Sequence, residues 1–337
     1  SISEVRQMLN LMKKYTAPFS VTGNEHKLAE IIKSDIAPYV DSVTEDAMGN
    51  LIAFKKGEDS SKRTMFAAHM DEIGFVVTYI EENGFIRVTQ VGGINPVASS
   101  YSEVVFENGV KGVIAIEGGT AFGDIAVKKM FVDIGAKNKK DAEKKVSIGT
   151  YLSLTQRMVH LANNRWAAKA FDDRVACAVL VRAAMEAKTV KYDTYYVFTV
   201  QEEVGCRGSK AAANAIQPTY GIACDVTVAY DYPGASGGAV SIGGGAAIKV
   251  KDSSVVCSQL IVNGLTKLAD DAKIKYQYEV LTAGGTDTSS MQVAGAGCYA
   301  GCVSIPLRYV HTPIETLDKA DLDACVALIR EFIEKAV

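Results

Sequence analysis

Residues 194–225 read TYYVFTVQEEVGCRGSKAAANAIQPTYGIACD, and this stretch decides the fold class. The apolar, β-branched and aromatic run Thr194 to Val200 predicts a strand buried on both faces. Alanine-rich Ser209 to Ala215 predicts a helix, and Tyr220 to Cys224 a second buried strand. Parallel neighbours need a crossover connection, usually helical, so strand, helix and strand in succession are the unit of a largely parallel sheet with helices on both faces.

The alternation continues outward. Upstream, helices are predicted from about Val5 to Tyr15 and from Asn24 to Tyr39. A Gly49-Asn50 turn then leads into the apolar run Asn50 to Phe54, and a strand from Thr64 to Ala68 runs into His69. Downstream of Asp172 the pattern gives a helix from Asp173 to about Lys188. Later come a helix around Val255 to Ala272, a strand Lys275 to Glu279, a helix from Thr286, a strand near Gly297 to Ser304 and a final helix Lys319 to Val337. Between Gly74 and His160 the texture changes. GFVVTYI, FIRVTQV, SEVVF and KGVIAI are short β-like runs separated by Glu-Asn-Gly and Gly-Gly turns, with one helical pattern near Lys139 to Lys145. The expectation is an α/β unit from residues 1–72 and 161–337, interrupted by an inserted β module over 73–160.

A chain of 337 residues exceeds what one hydrophobic core usually supports, which agrees with two units. With 48% hydrophobic and 22% charged residues it can bury such cores, so disorder is excluded. A net charge of −3 offers no broad basic surface, which argues against nucleic acid as a partner. The seven cysteines are odd in number and mostly sit in apolar runs, the pattern of free thiols in a reducing compartment. Cys298 and Cys302 stand too far from other thiols or imidazoles to form a zinc knuckle. The opening SISEVRQMLNLMKKYT reads as an amphipathic helix without the apolar core of a signal peptide, and no run is long enough to span a membrane. A cytoplasmic protein with no membrane contact is expected.

Only four histidines are present, so each can be weighed. His69 ends the run TMFAA and His311 follows CVSIPLRYV; taken singly, each is explained as a satisfied histidine at a strand terminus. His26 and His160 lie in polar surroundings. Two more predicted strands end on acids, YYVFTVQ on Glu202-Glu203 and YGIAC on Asp225. Open α/β sheets bind ligands beyond the carboxyl ends of their strands, so these four positions converge on one edge. Asp172-Asp173 opens an apolar helix, where capping alone would need only one acid. Imidazole and carboxylate donors without thiolate suit zinc, cobalt or manganese. Three carboxylates against two dications leave about +1, whereas one dication leaves about −1 with surplus ligands, so two ions fit better. Asp71 is placed to accept the second N–H of His69 and fix its tautomer.

The chain resembles the tetrahedral, dinuclear metallo-aminopeptidases, some of which carry glutamyl aminopeptidase or endoglucanase names. Matching segments are VTGNEH, DAMGNLIAFKKG, AAHMDEIGF, VGGINP, KAFDDR, VQEEVGCRGS, ACDVTVAYD, AGGTDT and RYVHTPIE, in family order across nearly the whole chain. The resemblance implies a phosphorylase/hydrolase-like α/β catalytic domain with a mixed, mostly parallel sheet, plus an inserted small β-barrel domain used in oligomerisation. It implies Asp172 as a carboxylate bridging two divalent ions, zinc or cobalt foremost and manganese as an alternative. One ion would be completed by His69 and Asp225, the other by Glu203 and His311, with Glu202 as general base and Asp71 as a catalytic partner. Peptides would be the substrates, and dimers would assemble into a tetrahedral dodecamer.

Three rival readings stand beside this one. An amino-acid deacylase would use the same metal chemistry on N-acyl substrates. A glycosidase would need two carboxyls facing one bond and no imidazole cluster. A non-enzymatic shell protein would lack a ligand, and none is missing. For substrate preference, Thr286 and Asp287 of AGGTDT are candidate contacts, with Thr282, Ala283 and Gly243 to Gly245 as candidate walls and Lys249, Lys251 and Asp252 as candidate charge selectors.

Overall fold

The computed structural model describes residues 2–337. Eight strands form the main sheet in the order Ser42–Glu45, Leu51–Lys55, Tyr192–Thr199, Asp59–His69, Tyr220–Val228, Tyr299–Leu307, Ala246–Lys251 and Tyr276–Val280. Its middle four strands are mutually parallel, and the joints that flank them, Leu51–Lys55 to Tyr192–Thr199 and Ala246–Lys251 to Tyr299–Leu307, are antiparallel. The sheet is therefore mixed, as the resemblance implied.

Side-chain alternation explains why it takes helices on both faces. Phe66, Ala68, Tyr196, Phe198, Ile222 and Cys224 point into one core with helices Ile2–Thr16, His26–Ile36, Phe171–Glu186, Gln259–Ala272 and Lys319–Lys335. Met65, Ala67, Val197 and Ala223 point the other way, onto helix Arg207–Ile216 and the short helix Thr288–Gln292. No helix among the described residues is long and apolar enough to cross a membrane.

Six strands, Gly74–Ile80, Ile86–Val91, Met130–Asp133, Lys111–Ile116, Ser102–Phe106 and Tyr151–Leu154, close in that order into a barrel with its own core of Phe75, Ile86, Phe106, Ile114, Met130 and Leu152. A separate three-stranded sheet, Val159–Leu161, Arg165–Ala168 and Glu315–Asp318, carries the chain back from the barrel. It pairs Ala168 with Glu315, which brings the start of helix Phe171–Glu186 beside the loop that holds His311.

Register aligns the functional edge. Thr199 stands opposite His69, and Ala223 opposite Ala67, so two residues further on Asp225 is level with His69. Three local expectations need correction. Strand Tyr220–Val228 runs three residues past Asp225, because Val226 and Val228 continue its pairing with Ile305 and Leu307. His311 lies in a turn four residues after strand Tyr299–Leu307, at φ +63°, and is not at a strand end. Ala246–Lys251, assigned no element from sequence, is a strand of the main sheet.

The Glu202-Glu203 loop is set by Asn50. This side chain, fully buried, donates to the Gly208 carbonyl at 2.9 Å and to Asp46 Oδ2 at 2.7 Å, and accepts from Val200 N at 3.0 Å. It thus clamps both ends of residues 200–208. Asn50→Ala strands the buried N–H of Val200, at about 1–3 kcal/mol, and removes the tie to Gly208. Thermal denaturation is expected to show a fall of several degrees, and an unchanged midpoint would refute the clamp.

Candidate metal centre

His69 is 1% exposed. Its Nδ1 lies 3.0 Å from the Asp71 carbonyl and 3.3 Å from Asp71 Oδ1. Both are acceptors, so the proton sits on Nδ1 and the Nε2 lone pair faces inward. There Nε2 is 3.0 Å from Asp172 Oδ1, 3.3 Å from Glu202 Oε2 and 3.7 Å from Asp225 Oδ1. The same logic applies to His311. Its Nδ1 meets the Gly93 carbonyl at 2.8 Å, leaving Nε2 facing Asp172 Oδ2 at 3.1 Å and Glu203 Oε2 at 3.3 Å. Asp172 therefore lies between two imidazoles, one at each oxygen.

Three buried acids hold the backbones that carry these groups. Glu315 accepts the N–H of Asp172 at 3.1 Å and that of His311 at 2.8 Å. Asp71 accepts the N–H groups of Glu202 and Glu203 at 3.1 and 3.2 Å, and the Thr22 hydroxyl at 2.7 Å. Asp173, joined to Asp172 by a cis peptide, accepts the His69 N–H at 3.1 Å.

The electrostatics are unbalanced. Burial pushes Glu203 up to about 7, with the Asp172 charge adding to it. Burial lifts Asp287 to about 6 against the pull of His69. Asp225 is raised, and Glu202 is raised well above the carboxylate range, both chiefly by burial and both opposed by His69. Asp173 is likewise driven well up by burial and then by Asp225. Asp172 goes the other way: burial works against it, but hydrogen bonds to His311 and His69 hold it low. Burial would also lower His311, yet Asp172 and Glu203 drive it up to about 12. Acids pressed to take protons beside imidazoles pressed to keep them describe a site short of positive charge.

Several atoms lack a partner. His69 Nε2, Asp172 Oδ1, Asp173 Oδ1 and Asp287 Oδ1 are buried without an aligned hydrogen bond. A lone pair 3.0 Å from a carboxylate oxygen is repulsive unless a proton or a cation lies between them. Three donor sets have their ligand atoms within 4.8 Å of one another: His69, Asp172, Asp173 and Asp225; His69, Glu202 and Glu203; and Asp172, Glu203 and His311. The nitrogen and oxygen donors fit a divalent ion of the zinc, cobalt or manganese kind.

A cavity of about 510 Å³ opens onto this cluster. Thr286 is in its wall, whereas Asp287 lies buried and accepts from the Thr199 hydroxyl at 2.7 Å. Thr282 and Ala283 are exposed and outside that wall, and Gly243 and Gly245 donate their N–H groups to Asp321 instead. Asp173 and Glu315 were not assigned roles from sequence. The paired acids of FDDR and the short spacing between His311 and Glu315 were the only signals for them.

The sequence profile of a family described as M42 glutamyl aminopeptidase matches residues 49–328. A lysyl aminopeptidase of Pyrococcus furiosus is 32% identical over 343 aligned positions, covering 96% of each chain. An aminopeptidase structure from the archaeon Desulfurococcus kamchatkensis superposes with a TM-score of 0.94 at 34% identity, covering 98% of this chain and 95% of that one. The TET1 peptidase of Pyrococcus horikoshii, described as assembling into a tetrahedron or a large octahedral shell, gives 0.88 at 30% identity, covering 97% and 99%.

Metal removal tests the centre directly. Chelation is expected to lower the melting temperature, and zinc, cobalt or manganese to restore it, by about 2.7 kcal/mol at a free-ion concentration a hundredfold above Kd. Because Glu203 near 7 and His311 near 12 hold protons without the ion, loading at pH 7 should release protons, and affinity should rise with pH. Calorimetry in buffers of different ionisation enthalpy reads that release. No thermal shift with any of the three ions would refute the centre.

Proposed function

The chain belongs to the M42 glutamyl aminopeptidase family, whose members are metal-dependent peptide hydrolases, and from that premise we propose that it removes N-terminal residues from peptides with two divalent ions and a glutamate base. The observation that carries the reading is Asp172 between His69 Nε2 and His311 Nε2, each ring having committed its other nitrogen to a carbonyl. His69, Asp172 and Asp225 would hold one ion, and Glu203, His311 and Asp172 the other. Two dications suit the charge: Asp172, Glu203 and Asp225 supply three negative charges, and Asp173 and Asp287 lie behind them.

Bound there, the ions would supply Lewis acidity, lowering the pKa of a water toward neutrality and polarising the scissile carbonyl. Glu202 is left for proton transfer. It is anchored through its N–H to Asp71 Oδ1, its Oε2 stands 3.3 Å from His69 Nε2, and burial raises its carboxyl despite His69. Glu202 takes the proton of the attacking water and delivers it to the leaving nitrogen as the C–N bond breaks. Asp71 keeps the Glu202-Glu203 backbone and the His69 ring in register. The carboxylates on the cavity floor offer acceptors to a free α-ammonium group at the substrate's terminus, and an N-acylated end lacks that charge.

Exposed apolar side chains on the barrel, Tyr101, Phe122 and Ile148, support self-assembly through that module into a dimer-based dodecamer. Seven free cysteines fit a reducing, cytoplasmic setting.

Glu202→Gln is expected to lower kcat by about 10²–10⁴-fold with both ions retained, and near-normal turnover would refute its role as base. Asp172→Ala should strip metal more severely than His69→Ala, since Asp172 presents one oxygen to each imidazole, 3.0 Å from His69 Nε2 and 3.1 Å from His311 Nε2. Metal analysis giving the reverse order would overturn the bridge.

A further inference from the structure

Beyond the acids of its floor, the 510 Å³ cavity is walled by Thr227, Lys249, Leu281, Gly284, Gly285 and Val310, among others. Lys249 is the only lysine or arginine in that lining. A free ammonium here would select an acidic side chain by direct charge pairing. It is not free. Lys249 is 1% exposed, and its Nζ lies 2.8 Å from Asp252 Oδ2 and in contact with Glu279 Oε2.

The two acids are themselves fixed. Lys249 stands opposite Glu279 in the parallel ladder of strands Ala246–Lys251 and Tyr276–Val280, so the backbone pairing sets that contact. Asp252 is locked by its other oxygen, which accepts Ser254 N at 2.7 Å, Ser254 Oγ at 2.8 Å and Val255 N at 3.0 Å. Both carboxylates are buried. Turning the ammonium toward a substrate would leave two buried carboxylates uncompensated, a strongly destabilising change. One cation against two acids leaves no positive charge to offer. Burial also pushes Glu279 upward, with Lys249 opposing.

A cationic side chain gains no more from this wall, because both carboxylates are already engaged by Lys249 and closed to solvent. What remains is apolar or small. The other cavity at the centre, between the barrel and His311, holds only about 40 Å³, room for a water or two and not for a side chain.

Resting on the aminopeptidase reading above, we propose that the larger cavity receives the side chain of the substrate's first residue and selects uncharged, mainly aliphatic ones, with Lys249 held by Asp252 and Glu279 as a neutralised wall.

The metal-loaded enzyme would be assayed on leucyl, methionyl, lysyl, arginyl, glutamyl and aspartyl p-nitroanilides. Leucyl and methionyl substrates are expected to lead, with kcat/KM at least about tenfold above the charged ones. A panel led by glutamyl and aspartyl, or by lysyl and arginyl, overturns the proposal and leaves the aminopeptidase reading standing. No turnover on any substrate overturns that reading and the proposal with it. Glu279→Gln keeps the shape but removes one counter-charge from Lys249, and is expected to raise the glutamyl-to-leucyl ratio by about three- to tenfold. A ratio within one preparation is insensitive to lost folded protein, and an unchanged ratio refutes the assignment of Lys249. Inhibition of the unsubstituted enzyme by free amino acids needs no variant: L-leucine should inhibit at concentrations at least about tenfold below L-glutamate and L-lysine, and the reverse order overturns the proposal.

Discussion

The structure depends on one electrostatic constraint: Asp172 is held between two imidazole nitrogens that have no proton to give it in their neutral form. Each ring spends its N–H on a carbonyl, His69 on Asp71 and His311 on Gly93. The inward nitrogens then face Asp172, Glu202, Glu203 and Asp225, all carboxylates. Such a cluster persists only if cations or protons enter it, since effective desolvation costs run to several kcal/mol per buried ion. Metal affinity is thus built into the tautomers as much as into the ligands.

Much of the remaining structure resists that repulsion mechanically. Arg174, fully buried one turn into helix Phe171–Glu186, donates to the carbonyls of Met70, Tyr15 and Pro18 and pairs with Glu72, while Lys169 reaches Glu72 at 2.8 Å. These contacts pin the segment after His69 to the start of helix Phe171–Glu186, which carries Asp172. Glu315 and Asp71 tie the other ligand-bearing turns by their N–H groups. The crowded ligand-bearing turns are thus held by carboxylates that each accept two backbone N–H groups, so a single acid fixes two turns or two successive residues.

The α/β order, the β-rich run and nearly every helix were legible because hydrophobic periodicity is local. The position of His311 was not. CVSIPLRYV reads as a strand leading to histidine, yet pairing stops at Leu307 and a turn at Tyr309 and His311, both at positive φ, swings the ring toward Gly93. That turn is held by Glu315, and its place is fixed by pairing with Arg165–Ala168, about 150 residues earlier in the chain. Asp225 was found for a reason that proved incomplete: its level with His69 follows from register, while the strand runs on. Lys249 shows the opposite failure. In sequence it is a free charge near a pocket, and only the ladder opposite Glu279 reveals that it is neutralised.

Lys249 also clarifies how a cavity beside a dinuclear centre can be shaped without disturbing it. A lone cation near the floor would compete with metal ions for the same carboxylates. An apolar residue there would leave Glu279 and Asp252 as two further buried acids in a region already dense with them. Pairing Lys249 with both satisfies the strands at the sheet's edge and keeps their charge from the centre. The negative field that gathers cations is thereby confined to the floor, where Asp172 sits, and the wall is left to discriminate by contact instead of by charge.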